Sequence, residues 1–183
     1  SSDVTVIDGA TNALTTLATV AIPNAVAMNP VTNKIYLLNS NNNVTVIDGA
    51  TNNISTITLD VGSFPVAVAI NPVTNKIYVT NQFSENVTVI DGATNAQTTL
   101  ATGTTPIAVV INPVTNKIYV ANQGSNSVTV IDGATNGLTT LAVGSFPRAL
   151  AINSVTNKIY VANQFSNNVT VIDGATNALT TLA

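Results

Sequence analysis

Reactive side chains are sparse in this sequence, and they fall at regular intervals. The chain has eight acidic and five basic side chains in 183 residues, with no histidine and no cysteine. Five of the acids, Asp8, Asp48, Asp91, Asp132 and Asp173, stand 40, 43, 41 and 41 residues apart, and each opens the same Asp-Gly-Ala-Thr-Asn run. Such a run could hold calcium or form a turn. A dedicated calcium site gathers several oxygen ligands, whereas each run offers one carboxylate, so turn formation is the better account and no metal is expected. Lys34, Lys76, Lys117 and Lys158 recur in register with these aspartates. Cross-strand Lys–Asp pairs are the expectation, each contributing about 0–1 kcal/mol if exposed. Serine and threonine abound, but a nucleophile needs a base in reach, and lysines set in outer turns do not supply one. With no phosphate-binding glycine loop either, the sequence predicts neither catalysis nor a cofactor.

The elements that carry these residues follow from the repeat. Val-Thr-Val-Ile-Asp-Gly-Ala-Thr-Asn is spelled out from Val4, Val44, Val87, Val128 and Val169. A fixed period near 41 residues is the mark of a repeat architecture. The unit from Phe64 to Gly103 divides at turn signals into "PVAVAIN", "KIYVTN", "NVTVID" and "AQTTLAT", each of strand length and rich in β-branched residues. No stretch has an apolar stripe of helical period. Four strands per repeat of this length make a β-propeller blade. Asn71-Pro72-Val73-Thr74-Asn75 joins the first two segments, and Asp91-Gly92-Ala93-Thr94-Asn95 the last two, where the glycine is expected to supply a positive φ. The first segment, small and branched residues in alternation, suits the crowded innermost strand. Tyr36, Tyr78, Tyr119 and Tyr160 recur in the second segment and are expected to pack between blades, each hydroxyl reaching solvent or backbone.

Naming the strands A (innermost) to D (outermost), the chain reads C-D and then A-B-C-D four times. The predicted fold is all-β: a propeller of four complete four-stranded blades plus an extra N-terminal outer hairpin. The half blade covers 1–20 and the blades cover 21–62, 63–103, 104–144 and 145–183. Two copies of one hairpin, Val4–Thr19 and Val169–Ala183, then compete for a single A-B pair. A closed ring with a displaced hairpin, a swapped or larger ring, and an excised fragment of a longer propeller all remain open, and the unpaired hairpin invites self-association.

Positions that break the repeat carry more functional information than those that keep it. The D-to-A and B-to-C loops share one face and vary between blades. Phe64 and Phe146 lie in Gly-Ser-Phe-Pro loops, Phe83 and Phe165 in Asn-Gln-Phe-Ser loops, and the third unit has Gly-Thr-Thr-Pro and Asn-Gln-Gly-Ser instead. These phenylalanines either meet a partner or fold back over their own blades. Arg148, the only arginine, replaces Asn24, Val66 and Ile107 at the mouth of an inner strand, where it can point into the central funnel. Sequons at Asn43, Asn53, Asn86 and Asn168 are weak glycosylation signals in so Asn- and Thr-rich a chain.

The run "NPVTNKIYVTNQFSENVTVIDGATN" resembles the YVTN repeat, with Tyr-Val-Thr-Asn at Tyr78–Asn81 and Tyr-Val-Ala-Asn from Tyr119 and Tyr160. Tyr36-Leu37-Leu38-Asn39 departs further. That resemblance covers nearly the whole chain and implies a propeller found in surface-layer and secreted proteins, hence an extracellular or cell-surface location. A net charge of −3 with scattered lysines leaves no basic field for nucleic acid or anionic lipid, and no apolar run has membrane-spanning length. A protein or a surface glycan is the expected partner. The function expected is a non-catalytic scaffold for surface structure, adhesion or protein interaction, acting through the variable loop face. The alternatives are a propeller enzyme of lactonase or quinone-cofactor dehydrogenase type, with its site in the funnel, or an engineered or excised run of repeats without a function of its own.

Overall fold

The structure, a computed structural model, describes residues 2–19, 21–60 and 64–183. The blade boundary expected at residues 62 and 63, and with it part of the first Gly-Ser-Phe-Pro loop, lies outside the described residues. An N-terminal hairpin of β1 (Asp3–Ile7) and β2 (Leu14–Ala18) forms a two-stranded sheet. Four four-stranded antiparallel sheets follow. Blade 1 has β3 (Pro23–Asn29), β4 (Lys34–Asn39), β5 (Asn43–Asp48) and β6 (Ile54–Thr58). Blade 2 has β7 (Pro65–Asn71), β8 (Lys76–Asn81), β9 (Asn86–Asp91) and β10 (Gln97–Ala101). Blade 3 has β11 (Pro106–Asn112), β12 (Lys117–Asn122), β13 (Ser127–Asp132) and β14 (Leu138–Ala142). Blade 4 has β15 (Pro147–Asn153), β16 (Lys158–Asn163), β17 (Asn168–Asp173) and β18 (Leu179–Leu182). The chain is an all-β propeller arc of four complete blades and a half blade, and within each blade the strands lie in sequence order.

Side-chain alternation gives each blade two apolar faces, and the core is what neighbouring blades bury between them. Tyr36, Leu38, Val44 and Val46 of blade 1 meet Ile77, Val79 and Ile90 of blade 2. Tyr78, Val87 and Val89 then meet Val109, Ile118, Val120 and Ile131, and Tyr119, Val128 and Val130 meet Ile159, Val161 and Ile172. Tyr160, the equivalent residue of blade 4, is only half-buried. One detail differs from expectation: the hydroxyls of Tyr36, Tyr78 and Tyr119 are buried without a hydrogen-bond partner, although Asn29 and Thr32 lie near the first and their equivalents near the others. The ring fills the interface so completely that its oxygen cannot reach solvent.

Polar latches repeat across the same interfaces. The side-chain amide of Asn29 donates to Asn75 Oδ1 in the next blade at 2.7 Å, Asn71 to Asn116 at 2.7 Å, and Asn112 to Asn157 at 2.6 Å. Lys76 Nζ reaches the Gly133 carbonyl at 3.3 Å, and Lys117 Nζ the Gly174 carbonyl at 3.1 Å. The register does set each lysine opposite its aspartate, as in Lys117 and Asp132. Among the described residues, however, only Lys158 and Asp173 approach as an ion pair, at 4.0 Å.

The Asp-Gly turns are built differently from expectation. In each, Asp Oδ1 accepts the backbone N–H groups two and three residues on and the hydroxyl of the threonine, as at Asp132 from Ala134, Thr135 and Thr135 Oγ1. The left-handed residue is the closing asparagine, with φ from 58° to 63° at Asn12, Asn52, Asn95, Asn136 and Asn177, and no described glycine has a positive φ. Asparagine tolerates that conformation, which frees the glycine for another task. In the four complete blades it packs its bare Cα on the A-B turn of its own blade and donates its N–H there, as Gly133 does to the Asn116 carbonyl at 2.8 Å. Among the described residues no group of three acids, histidines or cysteines could hold a metal ion.

These turns set a pH window. The threonine backbone N–H is the leading cause that holds Asp48, Asp91, Asp132 and Asp173 below the usual carboxylate range, and at Asp8 the Thr11 hydroxyl leads. A depressed folded value contributes stability that is present above the unfolded value, about 3.9, and lost as pH falls through the folded one. Burial raises the phenols of Tyr36, Tyr78 and Tyr119, so their contribution is present below about 10 and lost as pH rises through the folded values. Urea midpoints are therefore expected to plateau between about pH 4 and pH 10 and to fall on both sides. Midpoints that keep rising below pH 4 would refute this account.

Candidate functional site

The mouth of the arc is formed where each outer strand returns to the next inner one and where each second strand turns into the third. Proline at 65, 106 and 147 starts the inner strand, and the residue before it, Phe64, Thr105 or Phe146, has φ of 59°, 55° or 60°. A left-handed conformation is costly for a bulky or β-branched residue, and its recurrence around one rim is the kind of strain that clusters at ligand sites. Neighbouring blades hold it in place: the Phe64 N–H donates to Asn42 Oδ1 and the Phe146 N–H to Asn126 Oδ1, both at 2.9 Å.

The four phenylalanines form two stacked pairs. Phe64 and Phe83 lie 4.7 Å apart between ring centroids, and Phe146 and Phe165 lie 4.2 Å apart. Each pair bridges the two loops of one blade, yet Phe83 and Phe165 remain 69% and 67% exposed. Blade 3 has Thr105 and Gly124 at these positions, so a low saddle separates two aromatic knobs.

Arg148 is exposed and lies apart from those knobs, in a hollow lined by Val66, Gln82, Ile107, Gln123 and Arg148. Val66, Ile107 and Arg148 are equivalent positions on three successive inner strands, so the hollow lies on the axial side of blades 2 to 4. Gln82 and Gln123 each follow a second strand directly. The Gln123 side-chain nitrogen is buried there with no hydrogen-bond partner. An unpaired buried donor costs about 1–3 kcal/mol, a penalty removed if the amide turns into the hollow to meet an acceptor on a ligand. The hollow thus offers a guanidinium and side-chain amides beside Val66 and Ile107, suited to a carbonyl or carboxylate oxygen. Neither glutamine stood out in the sequence, because "NQ" recurs in three blades and a repeated residue reads as structural; its signal was placement one residue past an inner strand pair.

A rigid shelf supports this rim. Behind the glutamines, the amides of Asn39, Asn81, Asn122 and Asn163 donate across to Thr45, Thr88, Thr129 and Thr170 at 2.8–2.9 Å. All four asparagines are buried.

Residues 93–183, just under half of the chain, match the family model described as "Lactonase, 7-bladed beta-propeller". No curated protein matches. Among solved structures, a streptogramin B lyase superposes with TM-score 0.84 at 12% identity, over 99% of this chain and 61% of its own. Virginiamycin B lyase from Staphylococcus aureus gives 0.81 at 12% identity, over 99% and 62%. Hydrazine synthase from Kuenenia stuttgartiensis gives 0.75 at 23% identity, over 87% and 49%. The chain spans about three fifths of the length of the two lyases. A propeller repeat is the common ground of all these likenesses.

They also correct one expectation. The lactonase match, together with neighbours that include two lyases and a dihydro-heme d1 dehydrogenase, overturns the reading of the chain as a non-enzyme. An axial site draws a residue or two from each of several blades, so a lack of histidine and cysteine within four and a half blades does not exclude catalysis. The same findings fit the propeller-enzyme alternative better than the scaffold reading.

Proposed function

We propose that the chain forms the ligand-binding arc of a lactonase-type propeller, with a cyclic ester or its ring-opened hydroxy acid held in the axial hollow by Arg148, Gln123 and Gln82. One observation carries the reading: the residues matched to the lactonase family include blade 4 with Arg148 and the Gln123 loop, the part that presents the unpaired donor. In lactone hydrolysis, water oxygen bonds to the acyl carbon, the acyl C–O bond breaks, and a proton passes to the departing ring oxygen. Negative charge builds on the carbonyl oxygen, where preorganised donors act most strongly. The hollow's lining has no carboxylate or imidazole, so this arc supplies binding and charge stabilisation, and no general base is assigned to it. Kinship with the YVTN repeat and a secreted or surface location belong to the same proposal, supported by the repeat motif.

The test is ring opening of a panel of γ- and δ-lactones followed in a pH-stat, with the hydroxy acids titrated by NMR against the Gln123 side-chain amide. Arg148→Ala is expected to lower kcat/KM, or weaken hydroxy-acid binding, about tenfold or more. If the unaltered chain neither opens a lactone faster than buffer nor shows a saturable shift at Gln123, the proposal is wrong.

A further inference from the structure

The saddle between the two aromatic knobs is joined to the axial hollow by one loop. Gln123, which lines the hollow, is followed by Gly124 and Ser125 as the chain passes from the second strand of blade 3 to the third, and so away from the axis. The equivalent loops of blades 2 and 4 carry Phe83 and Phe165 in the place of Gly124, and the returns into their inner strands carry Phe64 and Phe146 in the place of Thr105. A path leading outward from Gln123 therefore runs between two stacked phenylalanine pairs, one on each neighbouring blade.

This path is a vacancy in a shared frame, not a loop of another shape. In blade 3 the Gly124 N–H donates to the Thr104 carbonyl at 3.0 Å, and the Thr104 N–H to Ser125 Oγ at 3.1 Å. In blade 4 the Phe165 N–H donates to the Ser145 carbonyl at 3.1 Å, and the Ser145 N–H to Ser166 Oγ at 2.6 Å. Thr105 has φ of 55°, beside 59° at Phe64 and 60° at Phe146. The backbone is the same and the rings are missing, which leaves a space the size of a stacked pair. Its floor is firm, because a Cβ on Gly124 would lie 2.6 Å from the Thr104 hydroxyl and 2.8 Å from that of Thr105. Its walls are apolar and bare: Phe83 is 69% exposed although described blades stand on both sides of its own. Exposed apolar surface of this kind, set beside polar groups, marks a binding site.

We infer that the saddle is a subsite for an unbranched aliphatic chain carried by the lactone or hydroxy acid whose oxygens lie in the hollow. This rests on the lactonase-type reading and narrows its substrate class to lactones that bear such a chain. Small-molecule sites combine apolar walls with a few placed polar groups, and here the donors stand at the axial end and the rings at the outer end. Continuity with the hollow identifies the occupant, since what passes between the rings is the part of the ligand that the donors do not hold.

The test uses γ-lactones with straight alkyl chains from methyl to octyl, and the corresponding 4-hydroxy acids, on the full chain. Ring opening is followed in a pH-stat, and binding by NMR at the Gln123 side-chain amide and, separately, at the phenylalanine rings. Affinity is expected to rise about two- to fourfold per methylene, with growing shifts at Phe83 and Phe165. Phe83→Ala combined with Phe165→Ala should flatten the series. So should Thr104→Ser, Thr105→Phe and Gly124→Phe together, which give blade 3 the loop residues of blade 4 and hence a local fold the chain already contains. A flat series in the unaltered chain, or an octyl ligand that leaves the rings unshifted, overturns the inference; saturable binding of the methyl compound at Gln123 would then leave the reading of the hollow standing. A slope that survives the three-residue transplant also overturns it, because the chain then lies elsewhere. Ring shifts without any shift at Gln123 overturn both readings.

Discussion

Ile131→Ala is expected to lower the stability of the chain by roughly 2–5 kcal/mol, and Ile7→Ala by far less, although the two residues occupy the same place in the same repeated nonamer. Ile131 is fully buried, pressed between blades 2 and 3 with Tyr78, Val87 and Val109. Truncating it removes three carbons from a close-packed interface and leaves a cavity that the two sheets cannot collapse. Ile7 is 62% exposed, with no described sheet packed over its side chain. Natural domains hold about 5–15 kcal/mol in total, so the first substitution takes a large fraction of what is available. Urea denaturation followed by circular dichroism reads both variants. Equal losses would mean that a blade is stabilised within itself rather than by its neighbours.

That contrast explains what could be read from the sequence. The period, the four strand-sized segments and the surplus C-D pair were all legible, because strand pattern and turn chemistry are local. What sits across an interface is not local. Lys76 and Lys117 looked like partners for Asp91 and Asp132 in their own blades, and they reach instead to carbonyls in the next blade, which spacing within one unit does not reveal. The positive φ fell on asparagine rather than glycine because the left-handed position of this turn is its closing residue, at Asn12 as in the complete blades. At the candidate site, Arg148 was legible as a break in the repeat, while Gln82 and Gln123 were hidden by recurring. Repetition separates structural from functional residues only where the two roles fall on different positions, and on an axial rim every blade contributes to both.

The glycine of the nonamer gives the sharpest test of that reasoning. Gly133→Ala is expected to cost about 1–3 kcal/mol, the usual penalty for overpacking, because its new Cβ would lie 2.7 Å from the Asn116 backbone carbonyl. A flexible side chain could swing away, but this carbonyl is held: it accepts the Gly133 N–H, and the Asn116 side chain is engaged by Asn71 from the blade before. Relief must come from the backbone of one turn or the other, and moving either pulls on an interblade latch. Gly9→Ala meets none of this, since open space surrounds its Cα, and its unfolded state is stiffened by the added methyl. The midpoint of Gly9→Ala should therefore match or slightly exceed that of the unaltered chain, while that of Gly133→Ala falls. A Gly133→Ala chain as stable as its parent would show that the turns are not in contact as described.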